Sequence, residues 1–403
     1  MRSPNTDTGL SKVLAAAQRR WHRRLADEQR YFWGAPDKLG DAPARASEGV
    51  STDPIAAQER EALALYEQGK YAAAEAVLRE VCAGRARQLG ADHPHVLIVR
   101  SQHARLLALC GRLTEAEAQS REVAEALTAA RGPDDAQAQW IRLAHAGILS
   151  ELGRFAEAEQ ESRALADAIA AAGPPSDQRA LEATRLHAHA LFEIGRLAEA
   201  QAQYDAVVRD MTAVFGARHP VTLAARAGRA VVLCELGRPA EAEQELREVL
   251  GAYAAGRGKG HSDTLSVRLL YGRALRGQGR FREAEGEIRA ATGGLAAVYG
   301  QGHPRVLYGH AWLGTVLTDL GWLAEAAAEL PQAVIELSRI LGADNPRVLR
   351  HRGHLAVFLR DRGEREQAKA ACEAALRASA SVLGEDHYVT RELGAIRATL
   401  ESL

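Results

Sequence analysis

Three histidines stand in one frame, His103, His145 and His187, each 42 residues from the next. An imidazole column is where a metal site is first sought, but this spacing excludes a shared ion. Neighbouring packed helices lie about 8–10 Å apart, whereas zinc–nitrogen bonds are about 2.0–2.1 Å. The three are expected as satisfied, partly buried imidazoles. Arg100, Arg142, Arg226, Arg268 and Arg352 form a second column. Its repetition suggests bonds to neighbouring repeats, at acids or helix-end carbonyls, with a strip for an anionic ligand as the alternative. Gly256, Gly258, Lys259 and Gly260 invite comparison with a phosphate-binding loop. Tyr253 occupies the first glycine position of that motif, Gly260 follows the lysine, and no strand is predicted before it, so a turn is expected. The chain has no G-x-S-x-G, no H-E-x-x-H and no Cys–His pair in a recognisable context. Neither an enzyme nor a bound metal or cofactor is expected.

These residues are carried on a frame that recurs every 42 residues, eight times. A glycine falls at Gly69, Gly111, Gly153, Gly195, Gly237, Gly279, Gly321 and Gly363. A leucine stands four residues before each, as in Leu107, and an alanine five after, as in Ala116. One period predicts two helices about the glycine; in the fifth these are Thr222 to Leu236 and Pro239 to Tyr253. The leucine points from the first helix into the pair. The alanine is small because two backbones approach there, and a larger residue would force them apart. Glu115, Glu157, Glu199, Glu241, Glu283 and Glu325 sit in the first turn of the second helix, where its dipole favours negative charge. A second turn joins successive pairs, L-G-A-D-H-P at 89–94, F-G-A-R-H-P at 215–220, Y-G-Q-G-H-P at 299–304 and L-G-A-D-N-P at 341–346. Glycine stops one helix and proline begins the next. The second and third periods end irregularly, as R-G-P-D-D-A and A-G-P-P-S-D.

Bulk properties agree with a stacked array sharing one continuous core. Lys plus Arg, 51, nearly cancels Asp plus Glu, 52, which gives no whole-molecule attraction to nucleic acid. Cys82, Cys110, Cys234 and Cys372 are isolated, as suits a reduced compartment and core-filling roles. No apolar run approaches the ~18 residues of a membrane span, and arginines interrupt the only apolar face near the N-terminus, so no signal peptide is read. A cytoplasmic location is expected. Residues 1–33 are read as a basic amphipathic helix, with Leu10, Val13, Leu14, Ala17, Trp21, Leu25 and Phe32 on one face. It suits, in order of preference, a cover for the first repeat, a docking helix for a partner, or a membrane-surface helix. Residues 34–53 read as a linker, 54–389 as the eight repeats, and 390–403 as a C-terminal capping helix.

The 42-residue unit, with its L-G-x-x-H-P junction and G-R-[FLY]-x-E-A turn, resembles the tetratricopeptide repeat of the kinesin-light-chain type over about residues 54 to 403. The resemblance implies an all-α, right-handed α-solenoid of eight helix-turn-helix repeats, with the first helix of each pair, helix A, lining a concave groove that binds peptides or partner proteins. Asparagines often stand nine residues before the turn glycine in that family. Here those places hold Arg60, Gln102, Ala144, Leu186, Gly228, Leu270, Trp312 and His354, so that clamp on a peptide backbone is not implied.

What all eight copies share maintains the solenoid, and what one copy has alone can serve a ligand. On the helix A face, the residues of the second kind are Arg105, Trp140, Arg185, His189, Phe192, Arg273, Arg276, Tyr308, Trp312, Arg350, His354 and Arg360. Tyr308 and Trp312 share one face at i, i+4, and Arg350 and His354 take the same two places in the next copy. Aromatic rings and arginine are what binding hot spots prefer, although such rings also fill gaps between helices. The acids just before the turn, Glu151, Glu193, Glu235, Asp319 and Asp361, are expected toward the rim. These features suggest a scaffold holding a peptide segment or protein partner in its groove. The alternative is a regulatory protein that senses a peptide or small ligand and changes superhelical shape.

Overall fold

The computed structural model describes residues 54–402, except Pro175 and the side chain of Glu67. The expected N-terminal helix and linker, 1–33 and 34–53, lie outside the described residues. Within them the chain is helical throughout, as α1 (Pro54–Glu67), α2 (Tyr71–Leu89), α3 (Pro94–Leu109), α4 (Leu113–Arg131), α5 (Ala136–Leu152), α6 (Phe155–Ala172), α7 (Gln178–Glu193), α8 (Leu197–Phe215) and α9 (Pro220–Glu235). It continues through α10 (Pro239–Arg257), α11 (Ser262–Gly277), α12 (Phe281–Tyr299), α13 (Pro304–Asp319), α14 (Leu323–Leu341), α15 (Pro346–Asp361), α16 (Arg365–Leu383) and α17 (Tyr388–Glu401). Odd-numbered helices are the A helices of hairpins, and even-numbered ones the B helices. The B helix of the fifth hairpin, α10, runs one turn beyond the expected Tyr253, to Arg257.

The recurring alanines explain the tightness of each hairpin. Ala74, Ala116, Ala200, Ala242, Ala284, Ala326 and Ala368 are wholly buried and Ala158 nearly so. At these points the two backbones leave room for a methyl group only. Leu107, Leu149, Leu191, Leu233, Leu275 and Leu317 are buried beside them. Four members of the arginine column brace their own hairpins: Arg100 reaches Glu122, Arg142 Glu161, Arg226 both Glu245 and Glu248, and Arg268 Glu287. Each acid lies on the B helix of the same hairpin, which corrects the expected bonds to neighbouring repeats. The histidines do link hairpins. His103 lies 3.0 Å from Glu75 and His187 3.1 Å from Glu159, both on the preceding B helix. His145 lies 2.9 Å from Ser120. First-turn glutamates such as Glu115 and Glu157 are held by Arg112 and Arg154 three residues earlier. Such exposed pairs are worth about 0–1 kcal/mol each.

From α3 onward every A helix touches the next A helix as well as its B helices, which places the A helices inside the curve. The curve is tight enough that the chain meets itself. Nε2 of His303 lies 2.9 Å from the carbonyl oxygen of Leu109, and Nε2 of His387 lies 3.0 Å from that of Glu193; each pair is 194 residues apart. Tyr71 meets Ser262 at 3.0 Å and stacks on Tyr299 at 5.4 Å. The second superhelical turn therefore rests on the first along a seam, where A-to-B turns below face hairpin junctions above.

Each junction residue on the seam does two things. Nδ1 of His303 accepts from the Arg305 backbone N–H at 3.1 Å, capping α13, which leaves Nε2–H to donate to Leu109. His387 caps α17 through Val389 and donates to Glu193 in the same way. Asn345 caps α15 through Oδ1, and its Nδ2 lies against Gly153. Gly195 sits in the left-handed region at φ +87°, and a β-carbon there would lie 2.5 Å from the His387 ring, so both backbone and seam require glycine.

Capping and clasping need neutral imidazoles. Burial, helped by the charge of Arg305, brings the pKa of His303 down to about 4, and burial lowers that of His387. A histidine depressed on folding binds more protons unfolded, so stability is full above pH 6.5 and falls as pH drops from about 6.5 toward 4. For His303 alone the loss is about 2–3 kcal/mol. Denaturant midpoints measured from pH 7 to 4 should fall less in His303→Asn than in wild type. Equal pH slopes would count against this assignment.

Candidate functional site

The inner face of the winding holds a half-open cavity of about 400 Å³ whose lining comes from both turns. The first turn supplies the C-terminal half of α7, with Arg185, His189, Phe192 and Glu193, together with Glu151 of α5. The second supplies Arg273 of α11, Arg305, Tyr308 and Trp312 of α13, Arg347 and Arg350 of α15, and Tyr388 of α17. Residues at i, i+3 and i+4 share a helix face. The A helices therefore present Arg185, His189 and Phe192, and Tyr308 and Trp312, toward the same space.

Ion pairs organise the walls. Glu193, 3 % exposed, receives both Nε and Nη2 of Arg347, the first at 2.8 Å. Burial alone would raise its carboxyl pKa, but Arg347 and His189 hold it below the usual carboxylate range. Burial takes His189 the other way, to about 4 against the pull of Glu193, so it is neutral at pH 7. Glu235 accepts from Arg273 at 3.1 Å and from both Nη atoms of Arg350 at 2.7 and 2.8 Å. Arg350 also pairs with Glu392, whose carboxyl it holds well below the usual range despite burial. Arg305 reaches Glu151 at 3.4 Å. The acids placed at the rim by sequence thus differ in fate: Glu193 is a buried counter-ion between turns, Glu235 is nearly covered by Arg273 and Arg350 of its own turn, and Glu151 keeps 46 % of its side-chain surface exposed while lining the cavity.

Aromatic rings fill the space between those pairs. Trp312 is 3 % exposed, with the guanidinium of Arg273 at 4.5 Å, that of Arg350 at 5.5 Å and that of Arg276 at 5.8 Å from its ring centre. His351 meets it edge-on at 4.9 Å. Tyr308 also packs edge-on against His351, at 5.3 Å. Phe192 of the first turn stacks on Tyr388 of the second at 5.5 Å.

The candidates chosen from sequence are divided by the fold. Arg185, His189, Phe192, Arg273, Tyr308, Trp312 and Arg350 line the cavity. Arg276, paired with Asp319 at 2.6 Å, and His354, between Thr315 and Glu392, stand behind its wall. Arg105 lies beside Tyr66, Trp140 packs with Leu143, Leu165 and Ile169, and Arg360 pairs with Asp361; none of the three lines the cavity. Arg305, Arg347 and Tyr388 line it and were missed. The first two carried a signal, since P-R-V-L follows the junction histidine or asparagine in two periods only, at 304–307 and 346–349. Among the described residues no three His, Cys, Asp or Glu side chains gather as metal ligands, and no helix is long and apolar enough to cross a membrane.

Family models for the tetratricopeptide repeat match residues 179–255 and 228–292, and again 62–95 and 348–388. No curated protein matches the sequence. Among solved structures, a Rap protein complexed with competence and sporulation factor is similar at 12% identity and TM-score 0.54, covering 87% of this chain and 99% of that one. NprR in complex with its cognate peptide NprX is similar at 12% identity and TM-score 0.51, covering 88% and 100%. A Podosopora anserina chain named for a kinesin light chain with nearly identical TPR-like repeats shares 23% identity over 50% of this chain and 95% of its own, at TM-score 0.39. Paired helices on a 42-residue frame, stacked with their A helices inside, agree with the matched models: the chain is a tetratricopeptide repeat protein.

Proposed function

We propose that this protein is a non-catalytic binding protein whose ligand is a peptide held in the inner cavity between the two superhelical turns. The observation that carries the reading is the composition of the cavity. Its walls alternate aromatic rings with guanidinium and carboxylate groups, which suits a chain with a polar backbone and mixed side chains. At about 400 Å³ it holds a few residues, and the seam closes it from the side. A short peptide or a chain end therefore fits better than the loop of a folded partner. The complex of NprR with its cognate peptide, a structure that shares the fold, supports the reading.

The second reading, a sensor that changes shape, is favoured by the two-turn lining. A ligand touching Phe192 on one side and Tyr308 on the other binds only the closed form and draws the turns together. A library of free hexapeptides captured on the purified protein tests both. Arg185 pairs locally with Glu182 and Tyr308 is only partly buried, so both are better probes of the cavity than the buried Trp312. Arg185→Ala plus Tyr308→Ala should weaken enriched peptides by about tenfold or more while circular dichroism is unchanged, as expected of truncation at a hot spot. Undiminished capture by the double variant would sink the cavity as the site. A fall in solution-scattering radius with bound peptide marks the sensor; an unchanged radius marks the passive scaffold.

A further inference from the structure

The seam that joins the two turns does not end with them. Wherever it forms, an A-to-B turn below meets a junction above, and the contact is heterologous: one surface fits a different one. Gly111, Gly153 and Gly195 are covered by His303 with Pro304, by Asn345 and by His387. On the last turn the equivalent glycines, Gly237, Gly279, Gly321 and Gly363, have no described atom within 4 Å of a β-carbon position. Beside Gly321 stands Trp322, 40 % exposed, in the place where five other turns carry arginine. The opposite face, the junctions of the first turn, meets no A-to-B turn among the described residues. A heterologous contact with both halves unfilled builds an open filament unless something stops it.

Two junction residues of the first turn differ in kind from those on the seam, whereas His93 caps through Nδ1 as the seam histidines do. On the seam the junction residues are His303, Asn345 and His387, each with an oxygen or nitrogen that caps and an N–H left to face the turn below. On the first turn the corresponding residues include Asp135 and Asp177. Both cap their helices well: Asp135 accepts from the backbone N–H groups of Gln137 and Ala138, and Asp177 from that of Arg179, whose guanidinium also pairs with its carboxylate at 2.6 Å. An ionised carboxylate has no proton to donate, and set against a backbone carbonyl it is repelled. These are the two irregular junctions noticed in the sequence.

We propose that the rim bearing Gly237, Gly279, Gly321, Trp322 and Gly363 is a docking surface for the first turn of a second copy of this chain, and that Asp135 and Asp177 hold that head-to-tail association in check. The occupant follows from continuity, because the rim repeats the lower half of a contact the chain already makes with itself. Asparagine matches aspartate in shape and is an equally good N-cap, and Asn345 shows it working on the seam.

The test is sedimentation velocity on the full chain at neutral pH across a wide range of protein concentration. The double variant Asp135→Asn, Asp177→Asn should associate into a ladder of end-to-end species at concentrations about tenfold or more below any association of wild type, with unchanged circular dichroism. Adding Trp322→Glu to it should restore the wild-type profile. A double variant that sediments as wild type at every concentration overturns the proposal. Association that survives Trp322→Glu overturns it too, since the contact would then lie elsewhere.

Discussion

Trp312→Ala is expected to destabilise the protein by about 3–5 kcal/mol, the range for truncating a buried aromatic ring. The ring is almost without exposure and is the common surface for Arg273, Arg276, Arg350 and His351. Its loss opens a cavity and also strips three guanidinium groups of their ring. Two of them, Arg273 and Arg350, share the Glu235 carboxylate, so the ion pairs between α9, α11 and α15 lose the plane they lie against. Urea denaturation followed by far-ultraviolet circular dichroism measures the change. Trp312→Phe should cost less than half as much, because packing is mostly kept. A loss below about 1 kcal/mol for the alanine variant would show that the site collapses freely and that the ring is not part of the core. Trp312 is thus a poor probe of binding, since any lost affinity would be confounded with lost structure; Arg185 and Tyr308 serve better.

The second large effect concerns Glu193. Glu193→Gln should cost about 2–4 kcal/mol, because the guanidinium of Arg347 is left without its counter-ion. Removing one partner of a fully buried pair costs about 3–5 kcal/mol, and Arg347 keeps some contact with solvent. The two residues are 154 positions apart and belong to different turns, so the loss falls on the seam. Solution scattering should show an expanded particle before helix content falls. The double variant Glu193→Leu, Arg347→Met should be closer to wild type than either single change, since well-packed apolar pairs often replace buried ion pairs at no cost. Additive losses in that double-mutant cycle would mean that the pair is not coupled.

Leu107, Gly111 and Ala116 were legible because their roles are local: a buried contact, a left-handed turn and a close approach, each complete within about ten residues. Helix ends at Gly216 and Pro220 were legible for the same reason. The arginine column was read as linking repeats because a repeating charge looks the same whether its partner is on its own B helix or the next. Rotation about the helix axis decides that, and sequence spacing leaves it open by one helix face. The seam was hidden more deeply. Where the chain meets itself depends on a small rotation per hairpin summed over several hairpins, so a few degrees would move His303 off Leu109 altogether. Tyr308 and Trp312 were found because they are singular. Arg347 was overlooked because it occurs in two copies, and singularity was the filter.

The self-contact also changes what kind of folding problem this chain poses. An array whose units touch only their neighbours behaves as a one-dimensional system: its stability grows smoothly with each unit, and nucleation can occur anywhere. Contacts spanning 194 positions add a term of high contact order that no local step can form, and the loop they close must be structured first. Progressive truncation from the C-terminus should therefore give two regimes. Stability should drop sharply as the rungs at His387, Asn345 and His303 are removed in turn, and then decline evenly, unit by unit, once a single turn remains.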